Sequence, residues 1–281
     1  MRGFTADQKF WCHLSINSGI RYTNSDIKKS QPYRVDTFID LVKFIAELAN
    51  ENPDYSLFFR GQGKDYTIES GVSTFYPSIF RKDGSLSFDE LRERYTILDD
   101  CTSAFIEFME ADTPKNDYRI RKYQKFPELV WAVLQHYIVC ETPLLDVTQS
   151  YRVAASFAYH TKHPQALIFV YAVPYPSGTI SFSAEEEMLM IKLQNTCPPD
   201  ALRPHFQEGF LLGNFPSRAD RKSAHLDFGK RLIAKIEIPK NSKTVREFRI
   251  NPKTDLYPEN DDIEIKCEEI RKIHNPNSSR R

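Results

Sequence analysis

The chain has 281 residues, enough for one large domain or two small ones around a sizeable core. Lys plus Arg and Asp plus Glu each number 38, so no net field draws it to nucleic acid or to an anionic membrane. Its longest apolar stretches, such as ALIFVYAV at 166–173, are too short to span a bilayer. MRGFTADQKFWCHL lacks the apolar core and small-residue cleavage site of a signal peptide, so the sequence predicts a cytoplasmic protein without membrane contact. Five cysteines, at 12, 101, 140, 197 and 267, form no CxxC pair, which argues against a disulfide framework and against a structural metal site. Walker A, GxGxxG, HExxH and GxSxG signatures are absent.

Residues 1–34 read as a polar extension, with SINSGIRYTNSDIKKSQPYR as loop. VDTFIDLVKFIAELAN (35–50) has a helical apolar period, capped by Asp36 or Thr37 and ended by Asn50 and Pro53. SLFFRG (56–61) reads as a short buried strand, and residues 87–110 as one or two helices opened by a Ser87/Glu90 capping box. PELVWAVLQHY (127–137) predicts a helix with proline in its first turn. RVAASFAYHT (152–161) predicts a short helix of small residues, and QALIFVYAV (165–173) a buried strand. EEEMLMIKL (185–193) fits helix or strand. FQEGFLLG (206–213) and RLIAKIEIP (231–239) read as strands, and 262–273 as a short helix in a charged tail from 251 to a frayed 281. Helices dominate the first half and strands the second, an α+β pattern with a main domain over 35–250.

LFFRGQG (57–63) drives an arginine to the end of an apolar strand, between residues that pack and glycines that clear space. With LQHYIVCETPLLDVT (134–148), VAASFA (153–158) and PPDALRPHFQEGFLL (198–212), it resembles the FRG domain family over roughly 35–240. The family pattern is a strand ending in Phe-Arg-Gly, a QHYGLPTRLLDWT-like tract, a VAxxFA helix, then R-x-x-x-Q-x-G-x-F. Here IVCETP is one residue longer than the usual segment, Pro143 replaces an arginine, and Val147 replaces a tryptophan.

The order of motifs is also similar, more loosely, to mono-ADP-ribosyltransferases of the Arg–Ser–Glu class. That resemblance implies a central split sheet and NAD as substrate. It implies Arg60 as the anchor of NAD, Gly61 as the backbone beside nicotinamide, and a late-strand carboxylate as catalyst. The acceptor of ADP-ribose would be a protein or nucleic acid, and a toxin or anti-phage effector, met by a protein partner or antitoxin, would be the biological setting.

The residues themselves allow these roles and others. Arginine offers phosphate oxygens a planar, permanently charged fork, but Arg60 could equally pair internally with Asp146. Asp146 and Thr148, two apart on a strand, share a face and could line a pocket, or Asp146 could cap the next helix. His136 is either a core histidine or a residue of the site rim, and Arg203 either a phosphate ligand or a surface ion-pair partner. Cleaving the nicotinamide–ribose bond passes through an oxocarbenium-like state that a carboxylate steadies. Gln207 can orient a ribose hydroxyl but carries no charge, and Glu208 would need a bulge at Gly209 to face inward. Glu185–Glu187 offers another acid source or a solvated face, and Tyr66, Phe75 and Tyr76 offer rings for stacking or for the core. The rival reading is an FRG module that binds a nucleotide or protein and does no chemistry, and RNA binding fits the neutral charge less well.

Overall fold

The computed structural model describes residue 5 and residues 7–82, 84–112, 117–216 and 227–276, so the end of the expected frayed tail lies outside the described residues. In chain order the strands are β1 (Lys9–Phe10), β2 (Tyr22–Thr23), β3 (Tyr33–Arg34), β4 (Ser56–Gln62), β5 (Leu145–Thr148), β6 (Ala166–Val173), β7 (Ile180–Ser183), β8 (Met188–Lys192), β9 (Gly209–Asn214) and β10 (Leu232–Ile238). The helices are α1 (Ser15–Ser18), α2 (Asn24–Lys29), α3 (Phe38–Glu51), α4 (Phe88–Asp112), α5 (Tyr118–Lys125), α6 (Pro127–His136), α7 (Tyr151–Tyr159), α8 (Leu193–Thr196), α9 (Arg203–Gln207), α10 (Ser242–Glu247), α11 (Lys253–Leu256) and α12 (Asp262–His274). The class is α+β, as the pattern predicts. Among the described residues no helix is long and apolar enough to cross a membrane.

Contacts gather the chain into two interleaved units. One comprises Met1–Phe75, Val147–Pro176 and Asp227–Tyr257, and the other Tyr76–Asp146, Ser177–Leu226 and Pro258–Arg281. This differs from boundaries at 34 and 250, and the reason lies in the hydrogen bonds of the N-terminal residues. Residues 24–29 are no loop: Thr23 and Asp26 form a reciprocal capping box at the start of α2. The Asn24 amide donates to the carbonyls of Gly229 and Leu232 at 2.9 and 2.7 Å. β3 pairs in parallel with β10.

The first unit holds a mixed sheet in the order β3-β10-β6-β4, with Thr148 of β5 opposite Phe59. All eight residues of β6 are buried, as expected of a central strand covered on both faces. α3 runs from a Thr37 cap to Glu51 and buries Leu41, Phe44, Ile45 and Leu48.

The second unit holds the antiparallel strands β9-β8-β7. The ambiguous segment 185–193 resolves into a turn and β8. α4 is one helix of 25 residues. Its predicted capping box is present: Ser87 N donates to Glu90 Oε2 at 2.9 Å, and Glu90 N to Ser87 Oγ at 3.3 Å. α6 buries six successive residues from Leu129 to Leu134, so it is a core helix with little polar face.

Candidate functional site

Within the first unit, β4 pairs with β6 so that Phe59, Arg60 and Gly61 stand opposite Val170, Phe169 and Ile168. Side chains alternate across the pleat. Phe59 turns to α7, its ring centroid 5.9 Å from that of Tyr151. Gly61 faces the same helix so closely that a Cβ there would stand 1.9 Å from the Ala154 carbonyl oxygen and 2.7 Å from the Ala158 nitrogen. A Cβ on Gly63 would meet Thr161 Oγ1 at 2.2 Å. The space beside these glycines is therefore filled by α7 and the turn after it, and not kept for a flat ligand on that side. The small residues of VAASFA are the counterpart: they let helix and strand approach.

Arg60 leaves the opposite face of β4, half-buried. Its cross-strand neighbour on β6 is Phe169, and Lys235 of β10 stands beyond, opposite Phe169. Lys235 is only 2% exposed, and all three of its ammonium donors are used. It donates to Lys28 O at 3.1 Å, to Ser73 Oγ at 3.0 Å and to Asp65 Oδ2 at 3.1 Å. This ties the loop after β4 to β10 and α2. Phe75 ends the loop in the core, 4.7 Å from the ring of Phe169 and 5.4 Å from that of Tyr171, so it is not a stacking platform for a ligand. Tyr66, on the same loop, is 50% exposed. Gln62 Oε1 and Asp65 Oδ1 are buried oxygens without a hydrogen-bond partner among the described residues. Groups like these accept from ordered water or from a ligand's N–H or O–H donors.

Thr148 does not join Arg60. It pairs with Phe59, so its side chain leaves the face opposite Arg60's, and its Oγ1 accepts from Ser150 N at 3.1 Å. This corrects the reading of Thr148 as wall of Arg60's pocket; the register of β5 decides it.

In the second unit, Asp146 sits on β5 with Oδ2 accepting from Gln135 Nε2 at 2.8 Å. It does not cap α7: Ser150 Oγ does, accepting from Val153 N at 3.4 Å. Gln135 Oε1 accepts from Ser78 Oγ at 2.9 Å and from Thr142 Oγ1 at 2.7 Å. The motif LQHY and the motif LLDVT are thus joined by one amide. Gln135 is the residue that sequence reasoning passed over. The only available signal was its place in the LQHY motif beside His136.

His136 is 2% exposed and belongs to the core, with Nε2 unpartnered among the described residues. Burial, and then the Arg203 guanidinium, hold its pKa well below the usual imidazole range, so the ring is neutral at working pH. Arg203 is no surface ion-pair residue. It is 5% exposed, its guanidinium lies 5.5 Å from the Tyr137 ring centroid, and its backbone N–H donates to Asp261 Oδ2 at 2.9 Å. Tyr137 Oη donates to the same oxygen at 2.8 Å. Burial, then nearby Cys197 and Asp261, push the Tyr137 hydroxyl pKa up, so it stays a donor.

The stretch 206–213 is not one strand. Gln207 ends α9, which has Pro204 in its first turn, and β9 starts only at Gly209. Gln207 is buried on that helix end. Glu208 has left-handed φ 45° and ψ 43° and is exposed. No bulge turns it inward, and β9 itself, GFLLGN, carries no acid. Glu186 is buried in the β7–β8 turn, whereas the Glu185 carboxyl is solvated.

Residues 55–166 match the FRG domain family. The chain thus carries an FRG domain, which begins one residue before β4 and ends at the first residue of β6. Arg60, Gly61, Gln135, His136, Asp146 and Thr148 fall inside it, and Arg203, Gln207 and Glu208 fall outside. Searches of curated proteins and of solved structures each gave no match.

Proposed function

We propose that this FRG domain binds a phosphate-bearing nucleotide such as NAD, with Arg60 as the anion anchor, and holds it without cleaving it. The observation that carries this reading is the placement of Arg60. It is a half-buried arginine on a strand whose other face is packed closely against α7, so its Cα is held by packed backbone. A planar guanidinium in partly desolvated surroundings favours a phosphate over water. The buried acceptors Gln62 Oε1 and Asp65 Oδ1 suit the hydroxyl or amide donors of the same ligand class.

The transferase reading asks for a carboxylate on the late strand. Glu208 is exposed at a helix end, and β9 has none to offer. ADP-ribose transfer to a protein or nucleic acid, and a toxin or anti-phage role with it, would follow only from cleavage. One experiment separates the readings: NAD titrated by calorimetry while nicotinamide release is followed, beside Arg60→Ala. Binding that Arg60→Ala weakens at least tenfold, with no release, supports the binding module. Release by the wild type that the substitution abolishes would replace it with the transferase. Absence of both binding and release would end both readings.

A further inference from the structure

We propose that the exposed face of α5 is a docking surface for single-stranded nucleic acid. α5 lies wholly in the second unit, so this inference stands apart from the reading of Arg60. Its eight residues, YRIRKYQK, carry four cations and no acid. Ile120 and Tyr123 turn inward and are buried. Helical spacing then sets Tyr118, Arg121, Lys122 and Lys125 on the opposite face, and all four are exposed. Rings and cations are interleaved there. The Lys122 ammonium stands 4.9 Å from the Tyr118 ring centroid, and the Lys125 ammonium 5.3 Å from that of Phe126. Tyr118 is 62% exposed, which leaves ring surface for a further stacking partner.

Two neighbouring acids are engaged away from this face. Asp117 caps the helix, its Oδ1 accepting from Arg119 N at 2.7 Å and its Oδ2 from Arg119 Nη2 at 2.8 Å. Glu110 accepts from Gln124 Nε2 at 2.7 Å on a flank of the helix. Among the described residues neither Lys122 nor Lys125 makes an ion pair. A helix that merely faces water commonly sets acids three or four residues from its lysines, and α5 holds none. The helix dipole favours lysines in the last turn but asks nothing of an exposed ring beside them. The balanced charge of the whole chain does not oppose docking here. Screening over about 10 Å at 0.1 M salt leaves a ligand on α5 sensing mainly the local cations. A single strand uses both features, its phosphates meeting the ammonium groups and a base stacking on the ring, whereas an acidic peptide brings no base to stack.

The test is fluorescence anisotropy of a labelled oligouridylate of about 12 nucleotides, titrated with the full chain at several salt concentrations. Wild type is expected to bind, and to bind more weakly as salt rises. Lys122→Gln with Lys125→Gln is expected to lose about tenfold in affinity or more at about 0.1 M salt, and to flatten the slope of log affinity against log salt by about 1.4. Tyr118→Ala is expected to lose about tenfold with the slope unchanged, because stacking releases no counterions. Lys43→Gln with Lys243→Gln removes the same charge from exposed positions of the first unit, and is expected to change neither quantity. Urea melts confirm that each variant is folded. No binding by wild type at about 0.05 M salt would overturn the inference. Equal losses in the Lys43 and Lys243 pair would overturn it too, by assigning binding to overall charge. Polyglutamate that displaces the probe as well as unlabelled oligouridylate does would give the face to an acidic protein instead. Tyr118→Ala with unchanged affinity would likewise reject a single strand as the occupant.

Discussion

Gly61 and Ala154 touch through backbone alone: there is no room between strand and helix for a single methyl group. A Cβ at 61 would stand 1.9 Å from the Ala154 carbonyl oxygen, and the next obstacle, at 2.7 Å, is the Ala158 nitrogen. Helix backbone yields less readily than a side-chain tip. Gly61→Ala is therefore expected to cost about 3 kcal/mol, at the upper end of overpacking penalties, by shifting α7 from β4. The comparison is Gly63→Ala, where the added Cβ would meet Thr161 Oγ1 at 2.2 Å and the Cβ atoms of Thr161 and His163 at 2.7 Å, in the turn after α7 and with no backbone atom among the three. That change must shift the turn but not the helix backbone, and should cost less. Equilibrium urea unfolding of both variants measures the difference, and equal losses would contradict the packing account.

Lys235 is a buried cation of the first unit. Removing it by Lys235→Met leaves the Asp65 carboxylate, the Ser73 hydroxyl and the Lys28 carbonyl without their shared donor. Breaking one side of such a pair costs roughly 3 kcal/mol or more, because the surviving charge stays desolvated. The double change Lys235→Met with Asp65→Leu is expected to recover part of that loss. A double-mutant cycle by urea unfolding reads the coupling, and strict additivity would refute it.

His13 supplies a pH dependence whose sign is fixed. Burial, and then the positive charge of Lys235, push its pKa from 6.5 down to about 4. The unfolded chain takes up a proton near 6.5 and the folded chain does not until about 4. The contribution is therefore fully present above about 6.5 and is lost as the pH falls toward 4, by roughly 3 kcal/mol at most. His136 acts in the same direction. His13→Gln should flatten part of the fall in unfolding free energy between pH 7 and 4.5. A slope identical to that of wild type would show that His13 is charged in the fold.

Glu208 tests the separation of fold from chemistry. A non-glycine residue at φ 45° carries strain of about 1 kcal/mol, which Glu208→Gly relieves, less the flexibility it adds to the unfolded chain. The variant is expected to be as stable as wild type or slightly more so, and to bind NAD unchanged. Loss of nicotinamide release or of binding in Glu208→Gln would return this carboxylate to the site.

The sequence by itself determined the α+β class, the buried elements β4, β6, β10, α3, α4, α6 and α7, the capping box at Ser87, and the FRG segment. Those features are local. An apolar run such as ALIFVYAV, a helical period or a capping pair needs only its neighbours to be recognised. Tertiary structure decided what the motif residues do. The glycine of LFFRGQG reads as room for a ligand until α7, some ninety residues later, is found filling that room. Thr148 reads as lining a pocket with Asp146 until the register of β5 places it opposite Phe59 and on the face away from Arg60. Gln207 and Glu208 read as strand residues, because a five-residue helix with little apolar period leaves no pattern against a following strand. Gln135 reads as one more polar residue at a helix end until it is seen to join Ser78, Thr142 and Asp146. Each of these depends on which distant segment lies alongside, and a pleat reverses a side chain's face with every single residue of register.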